Sequence, residues 1–164
     1  MLSKERCNEL YVKHAPNAFR RARHVLGDAA DADDVVQDVF LALFERYEQF
    51  RGDSSLSTYI YSAVTHACLN RLRSRRQRDM FSRTQLTAAA PHDSGRGPES
   101  AAAARSLLSR LPSPLAEVAV YYYLDELSQR EIASILKCSH VHVAELIARV
   151  SRSVSRQELK TCQR

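Results

Sequence analysis

The sequence predicts an all-α protein made of two small helical domains joined by a flexible linker. Apolar residues recur every three or four positions through most of the chain, which places them on one face of successive helices. No segment shows the alternation of apolar and polar side chains that is typical of a strand. In the middle of the chain a small, polar stretch with Pro and Gly replaces the periodic pattern, and such a composition indicates a linker.

The N-terminal domain is predicted over residues 4–79. Its first helix has an apolar face from Leu10 to Leu26. We expect an interruption near Pro16, because proline lacks the N–H that an inner helical turn needs. We expect the helix to end at Gly27, because glycine readily adopts the left-handed conformation of a C-terminal cap.

Two further helices complete this domain. One begins in an Asp-rich turn, since acidic groups stabilise the positive end of the helix dipole, and it carries apolar positions from Val35 to Tyr47. The other is predicted from about Leu56 to Arg75, with its small and apolar residues facing inward.

The linker is predicted over residues 80–104 and the C-terminal domain over residues 105–159. Pro112 and Pro114 open a helix that continues to about Leu124, since proline suits the first turn of a helix. The domain is therefore expected to begin with a helix of about three turns.

A short helix, a tight turn and a long helix follow. Ser128 and Glu131 have the spacing of a capping box, and the turn falls at residues 137–139. The last helix has apolar residues at i, i+3, i+4, i+7 and i+11: Val143, Leu146, Ile147, Val150 and Val154. This order is typical of a helix-turn-helix that binds DNA, and an ordinary helical hairpin is the alternative.

Charged residues form blocks of opposite sign within a net charge of +5. The basic blocks are Arg20, Arg21, Arg23 and His24, and then Arg71, Arg73, Arg75, Arg76, Arg78 and Arg83. The acidic block between them is Asp28, Asp31, Asp33, Asp34 and Asp38. The pattern predicts one surface for a polyanion and another for a basic partner, with plain solvated helix faces as the alternative.

Several classes of protein are not expected. Four scattered cysteines without a CxxC pair favour reduced thiols, and with no long apolar run or signal segment we expect a cytoplasmic protein without membrane insertion. Cys138, His140 and His142 would not converge in a helix-turn-helix bend, so no metal is expected. Without a phosphate-binding glycine loop or a nucleophile–base pair, we expect no cofactor, no catalytic residue and no enzymatic activity.

Two segments resemble the extracytoplasmic-function (ECF) subfamily of sigma-70 family sigma factors. The segment DADDVVQDVFLALFERYEQFRGDSSLSTYIYSAVTHACLNRLRSRR is similar to their domain 2, and LPSPLAEVAVYYYLDELSQREIASILKCSHVHVAELIARV is similar to their domain 4. The order and spacing of the segments match as well. The resemblance implies a subunit that binds core RNA polymerase, recognises the −10 and −35 elements of promoters, and assists DNA melting to start transcription of a specific regulon.

The resemblance implies that the second helix docks on the basic clamp helices of the largest polymerase subunit. The matching positions are Asp34, Gln37 and Asp38, with Leu41 as an apolar contact. Acidic and amide groups would orient such a complex and speed its formation more than they would tighten it. Asp31 and Asp33 are interpreted as groups that stabilise the helix dipole.

The resemblance also implies a surface that captures the unstacked −10 element of the non-template strand. Its members are Arg51, Ser54, Ser55, Thr58, Tyr59, His66, Asn70, Arg71, Arg73 and Arg75. Aromatic rings can stack on bases while cations follow the backbone. Relatives usually carry Trp at the position of Tyr59 and often Asn at that of His66, which leaves the captured base open. Tyr61 fits either this surface or the hydrophobic core.

The last helix is implied to enter the major groove of duplex DNA at the −35 element. The usual Gly-Thr-Val-Lys-Ser-Arg string of the family reads Val-His-Val-Ala-Glu-Leu at residues 141–146. The implied contacts are His142, Glu145, Arg149 and Arg152. Because two customary cations are replaced, either the −35 sequence is unusual or this domain binds DNA weakly.

Family analogy implies two further hypotheses, one about a partner and one about the linker. An anti-sigma factor would hold the two domains inactive, and the linker would thread toward the active centre of the polymerase. The main rival hypothesis is a conventional DNA-binding regulator that keeps sigma-like helices but does not program polymerase. The acidic second helix and the FRGDSS segment argue against this rival, because a simple repressor needs neither.

Overall fold

The computed structural model describes residues 4–47, 55–85 and 99–162. Helices make up nearly all of these residues, and no strand occurs among them, in agreement with the predicted all-α class. The chain divides into two compact units, Met1–Arg105 and Ser106–Arg164. Within the described ranges, every helix is either too short or too polar to cross a bilayer.

Three helices build the first unit: α1 (Lys4–Leu26), α2 (Ala29–Arg46) and α3 (Leu56–Gln85). Each packs against the other two. The buried side chains come from all three helices and include Leu10, Ala22, Val25, Val36, Phe40, Val64, Cys68 and Leu69. Burial of these apolar groups drives the bundle together.

The predicted interruption of α1 is wrong, because the helix runs through Pro16 without a break. An inner proline costs about 3 kcal/mol, mainly through one lost hydrogen bond and a steric clash. Buried residues on both sides of Pro16, such as Leu10 and Val25, hold the two halves of α1 in the bundle. Their packing outweighs the cost of the proline.

The connection between α1 and α2 is set by two adjacent residues. Gly27 has a φ of 73°, and its N–H donates to the carbonyl of Arg23 over 2.8 Å, which ends α1 as predicted. Asp28 then caps α2, because its Oδ1 accepts a hydrogen bond from the N–H of Asp31 over 2.8 Å. The tight turn brings α1 and α2 side by side.

The third helix is longer than predicted. It was expected to end near Arg75 but continues to Gln85. The added segment RQRDMFSRTQ contains no Gly or Pro and several good helix formers, so it extends the helix without an apolar stripe of its own. Met80 and Phe81 are exposed on this extension.

The C-terminal end of the predicted linker is helical in the structure. A fourth helix, α4 (Glu99–Arg110), begins inside the segment 80–104, where an alanine run favours helix. The boundary between the two units falls within α4. Residues 86–98 lie outside the described residues, so the linker and the predicted domain limits stay predictions.

The second unit contains α5 (Ser113–Ala119), a π-helical segment (Val120–Leu124), α6 (Gln129–Leu136) and α7 (His140–Cys162). Both α5 and α6 pack against α7. Their shared core contains Leu115, Val118, Tyr121, Ile132, Val143, Leu146 and Val150. The predicted short helix, turn and long helix are therefore present.

The predicted capping box at the start of α6 is confirmed. The Oγ of Ser128 accepts a hydrogen bond from the N–H of Glu131 over 3.3 Å, and the N–H of Ser128 donates to the Glu131 carboxylate over 2.8 Å. Hydrogen bonds from the Ser128 hydroxyl and backbone lower the pKa of Glu131. This exchange of hydrogen bonds fixes the first turn of the helix-turn-helix.

The turn between α6 and α7 contains a left-handed residue that is not glycine. Lys137 has a φ of 53°, and Glu126, ahead of α6, has a φ of 55°. The next N–H after Lys137, that of Cys138, donates to the carbonyl of Ala133 over 3.0 Å. Cys138, in the same turn, is half-buried.

Candidate nucleic-acid and partner-binding surfaces

One side of α2 is exposed and polar. The four residues predicted to bind polymerase, Asp34, Gln37, Asp38 and Leu41, all lie on this side, which we call the α2 face. Leu41 is 62% exposed and lies one helical turn after Gln37 and Asp38. The α2 face therefore presents two carboxylates, one amide and one apolar side chain to solvent.

Ion pairs join the α2 face to α3. Arg71 donates to Asp34 over 2.6 Å and lies 3.0 Å from Asp31, while Arg75 also pairs with Asp31 and approaches Asp28 at 4.0 Å. The Asp31 side chain is 16% exposed, whereas that of Asp34 is 62% exposed. The network therefore has an inner anchor and an outer, accessible carboxylate.

These pairs correct two interpretations of the sequence. Asp31 was interpreted as a dipole-stabilising residue, but its carboxylate binds arginines of α3, because Asp28 already occupies the capping position. The acidic and basic blocks were expected on separate surfaces, yet they meet along the α2–α3 edge. Burial opposes the charge of Arg71, but the carboxylates of Asp31 and Asp34 raise its pKa above the ordinary value.

The predicted −10 surface is divided between two sides of α3. Tyr59, His66 and Asn70 are exposed on the outer side, and Asn70 accepts a hydrogen bond from Arg73 over 2.9 Å. Tyr59 is 38% exposed, so part of its side chain is accessible to solvent. Together these residues give an aromatic ring followed by polar and cationic groups, which suits a separated strand.

Two other members of the predicted −10 surface, Arg71 and Arg75, lie on the side that faces α2 and bind its carboxylates. At the start of α3 the hydroxyls of Ser55 and Thr58 are hydrogen-bonded to each other over 2.8 Å. The predicted contacts Arg51 and Ser54 lie outside the described residues.

Sequence reasoning missed the role of Arg21. Its guanidinium lies 3.8 Å from the centroid of the Tyr61 ring, and its Nε donates to the hydroxyl of Thr65 over 2.9 Å. Tyr61 is half-buried, so a cation–π contact between α1 and α3 holds it. No sequence signal could have paired Arg21 with Tyr61 and Thr65, which lie forty and forty-four positions away.

An open groove of about 530 Å³ lies between α2 and α3. Its walls are Val35, Asp38, Ala67, Asn70, Arg71, Ser74 and Arg78. Residues of the predicted polymerase surface and of the predicted −10 surface thus line the same depression. The two predicted surfaces are contiguous.

The exposed side of α7 holds the predicted −35 contacts. His142, Glu145, Arg149 and Arg152 are all exposed, and the His142 Nδ1 lies 3.6 Å from a carboxylate oxygen of Glu145. Val141 is 56% exposed beside them and was not among the predicted contacts. Among the residues whose placement is described, no group of three His, Cys, Asp or Glu converges as a metal site.

A protein-family model matches the first unit. Residues 10–78 match the model described as sigma-70 region 2. This range contains the α2 face and most of α3. The family match therefore covers the surfaces of the first unit.

Named relatives agree with this match. The chain is 35% identical to the ECF RNA polymerase sigma factor SigM of Mycobacterium tuberculosis over 66 residues, which are 40% of this chain and 34% of SigM. It is 27% identical to the ECF RNA polymerase sigma-E factor of Escherichia coli over 139 residues, which are 77% of this chain and 73% of the relative. The SigM match spans about a third of that relative's length.

Two solved structures share the fold. CnrH, solved in complex with the cytosolic domain of CnrY, has a TM-score of 0.57 and 22% identity, covering 94% of this chain and 88% of that chain. The sigma factor RpoE of Bartonella quintana, solved with the anti-sigma factor NepR, has a TM-score of 0.52 and 18% identity, covering 96% and 98%. Both alignments extend over nearly the whole of this chain.

Proposed function

We propose that the chain is a sigma factor of the ECF subfamily of the sigma-70 family, and thus a specificity subunit of bacterial RNA polymerase; the sigma-70 region 2 match and the two ECF relatives support this. It binds core polymerase, recognises the −10 and −35 elements of promoters, and helps to melt the DNA so that transcription of a specific regulon starts. It catalyses no reaction of its own, and it works in the cytoplasm, where polymerase and promoter meet.

The observation that carries this proposal is the α2 face within the sigma-70 region 2 match. Asp34, Gln37 and Asp38 lie on the exposed side of α2, and the exposed Leu41 follows Gln37 and Asp38 one turn later. The carboxylates guide a basic helical partner into register, and the leucine adds an apolar contact at the end of the row. The resemblance implies such a partner, because it places the second helix on the basic clamp helices of the largest polymerase subunit.

The outer side of α3 then holds the separated non-template strand. Tyr59 stacks on an unpaired base, while Asn70 and Arg73 follow the backbone toward the C-terminal end of the helix. The strand is captured rather than cut, since stacking and charge neutralisation stabilise the open form without chemistry. His66 lies between these groups and contributes to the choice of base.

Arg71 and Arg75 take a different part in this proposal. Since both bind carboxylates of α2, they orient α3 against α2 and so position the outer side of α3 for the DNA. Ser55 and Thr58, at the start of α3, contact the captured base in this proposal, together with Arg51 and Ser54 just before them in the sequence.

In the second unit α7 enters the major groove of the −35 element. Its candidate contacts are His142, Glu145, Arg149 and Arg152, on the exposed side of the helix. The proposed arrangement of the whole chain is a polymerase-binding and −10 domain at 4–79, a linker at 80–104 that threads toward the active centre, and a −35 domain at 105–159.

An anti-sigma factor is the proposed regulator. The sigma factor RpoE of Bartonella quintana was solved with the anti-sigma factor NepR, and its fold resembles that of this chain. Exposed apolar groups such as Leu41 would be covered when such a partner binds. Purification of the chain from its native cell should then recover an inhibitory protein.

The function is tested by adding the purified chain to sigma-free core polymerase and sequencing the 5′ ends of the transcripts. Promoter-specific transcripts are expected. Binding to core should fall by at least roughly tenfold in Asp38→Lys, because a like charge then faces a basic partner. Asp34→Lys should do the same, but Asp34 also binds Arg71, so Asp38 separates docking from the α2–α3 contact.

The matched control is Asp79→Lys, which makes the same charge change at an exposed position of α3 outside the α2 face. It should bind core like the unchanged chain. Equal affinity of core for all three variants would contradict the docking proposal. Duplex binding without any association with core would instead favour the conventional regulator.

A further inference from the structure

The exposed side of α7 has an unusual centre for a helix that binds DNA. The buried side of the helix is defined by Val143, Leu146 and Val150. At about 100° per residue, Val141, Glu145, Ala148 and Arg152 follow one another on the opposite side. His142 and Arg149 lie to one flank of this row. The centre is therefore apolar and acidic over its first two turns, and cationic only further along.

Val141 is the feature of this row that the fold does not explain. It is 56% exposed at the second position of α7, so it adds little to the hydrophobic core. The hydroxyl of Ser139 accepts the N–H of His142 over 3.1 Å, which fixes the first turn of the helix. A rigid, exposed valine at this end is well placed for an intermolecular contact, since the N-terminal residues of a recognition helix meet base edges.

Major-groove chemistry offers one distinctive apolar group, the C5-methyl of thymine. Glu145, one helical turn after Val141, is an acceptor that can take the N4 amino group of cytosine. We propose that Val141 contacts a thymine methyl in the −35 element and that Glu145 accepts from a cytosine at a neighbouring base pair. This inference rests on the proposed DNA-binding function and names the sequence feature that α7 reads.

The acidic side chain gives this site selectivity. A carboxylate between two phosphate backbones is repelled unless a base amino group satisfies it, so Glu145 disfavours sites without such a donor. The Nδ1 of His142 lies 3.6 Å from the Glu145 carboxylate, so the two side chains are neighbours on the exposed side of α7. Arg149 and Arg152 lie further along α7, where they can bind phosphates and set the register.

The test uses the full chain with core polymerase and a promoter library that is randomised over the −35 window. Holoenzymes of the unchanged chain, Val141→Ala and Val12→Ala are each used to select bound duplexes. Val12→Ala makes the same substitution at an exposed position of α1, where Val12 is 65% exposed. Each thymine of the selected element is then replaced by deoxyuridine, which lacks only the methyl group.

At one thymine, deoxyuridine should weaken binding of the unchanged holoenzyme by about fourfold, the effect of exposing one methyl-sized group. Val12→Ala should show the same loss. Val141→Ala should bind thymine and deoxyuridine duplexes equally, at the level of the unchanged holoenzyme on deoxyuridine. Glu145→Gln should relax selection at a cytosine beside that thymine.

Two results would overturn the inference: no thymine whose methyl matters, or an unchanged methyl effect in Val141→Ala. If no holoenzyme forms, the polymerase proposal fails separately, and the same selection is made with the chain alone. A deoxyuridine effect that Val141→Ala removes would then support the inference for a conventional regulator. If neither the holoenzyme nor the chain alone bound duplex DNA, the inference would be rejected.

Discussion

The two units use charged side chains differently. In the first, Arg71 of α3 reaches Asp31 of α2, forty positions earlier, so charge joins separate helices. In the second, Glu131 and Glu145 each interact with a residue three positions away on the same helix or its cap. Charge in the first unit is thus part of the tertiary structure, whereas on α6 and α7 these two carboxylates act locally.

This difference bears on how each surface can change. A substitution in the α2–α3 network alters the packing of two helices together with the proposed polymerase and −10 surfaces. A substitution on the outer row of α7 alters only the proposed DNA contacts, while the buried side of that helix stays intact. Binding and stability should therefore be coupled in the first unit and separable in the second.

The largest contrast is expected between one cysteine of each unit. Burial raises the pKa of the Cys68 thiol to about 12, with a smaller opposing effect from Arg21. Because the thiolate is the reactive form, iodoacetamide at pH 8 should modify Cys68 at least about a hundredfold more slowly than the half-buried Cys138. Peptide mapping by mass spectrometry over time measures both rates in one sample.

Denaturation provides the control for that measurement. In urea, both thiols should react at similar rates, since neither is then buried. Rapid modification of Cys68 in the folded chain would show that the α1–α3 interface opens readily, and the contrast between the units would be lost.

The next effect concerns stability. Asp31→Ala leaves Arg71 and Arg75 partly buried without their inner carboxylate, and should lower the free energy of unfolding by about 2 kcal/mol. Asp33→Ala, two positions on and exposed, should cost about 0.5 kcal/mol or less. Urea unfolding of both variants gives the comparison. Similar losses would mean that the network does not anchor α3.

The smallest effect is expected at the start of α6. Ser128→Ala removes the hydroxyl that caps the helix and should cost about 1 kcal/mol. Ser134→Ala, at an exposed position within α6, tests the same substitution away from the cap and should leave stability nearly unchanged. Thermal unfolding distinguishes them. If both variants behaved alike, local capping would not control this unit.

Local signals were enough to predict much of the second unit. The spacing of Ser128 and Glu131 predicted the start of α6, and the repeat from Val143 to Val150 predicted the buried side of α7. Such features depend on residues within one or two helical turns, which is the range that a sequence pattern reports.

Features that depend on distant residues could not be predicted. Nothing near Arg71 indicates that its partner is Asp34, and packing on α2 and α3 is what carries α1 through Pro16. The end of α3 was misjudged because its last ten residues are helical without an apolar repeat. The exposure of Val141 became evident only when the direction of α7 was fixed by its buried neighbours.

Glu126 and Lys137 have left-handed backbone conformations on either side of α6, which glycine would adopt without steric cost. Each such residue lowers the free energy of unfolding by roughly 1 kcal/mol, so the second unit is less stable than it would be with glycine at these positions. That margin is recoverable by glycine at either position, and both positions lie outside α7. If α7 reads promoters as proposed, such a gain could offset stability lost through substitutions on its exposed side.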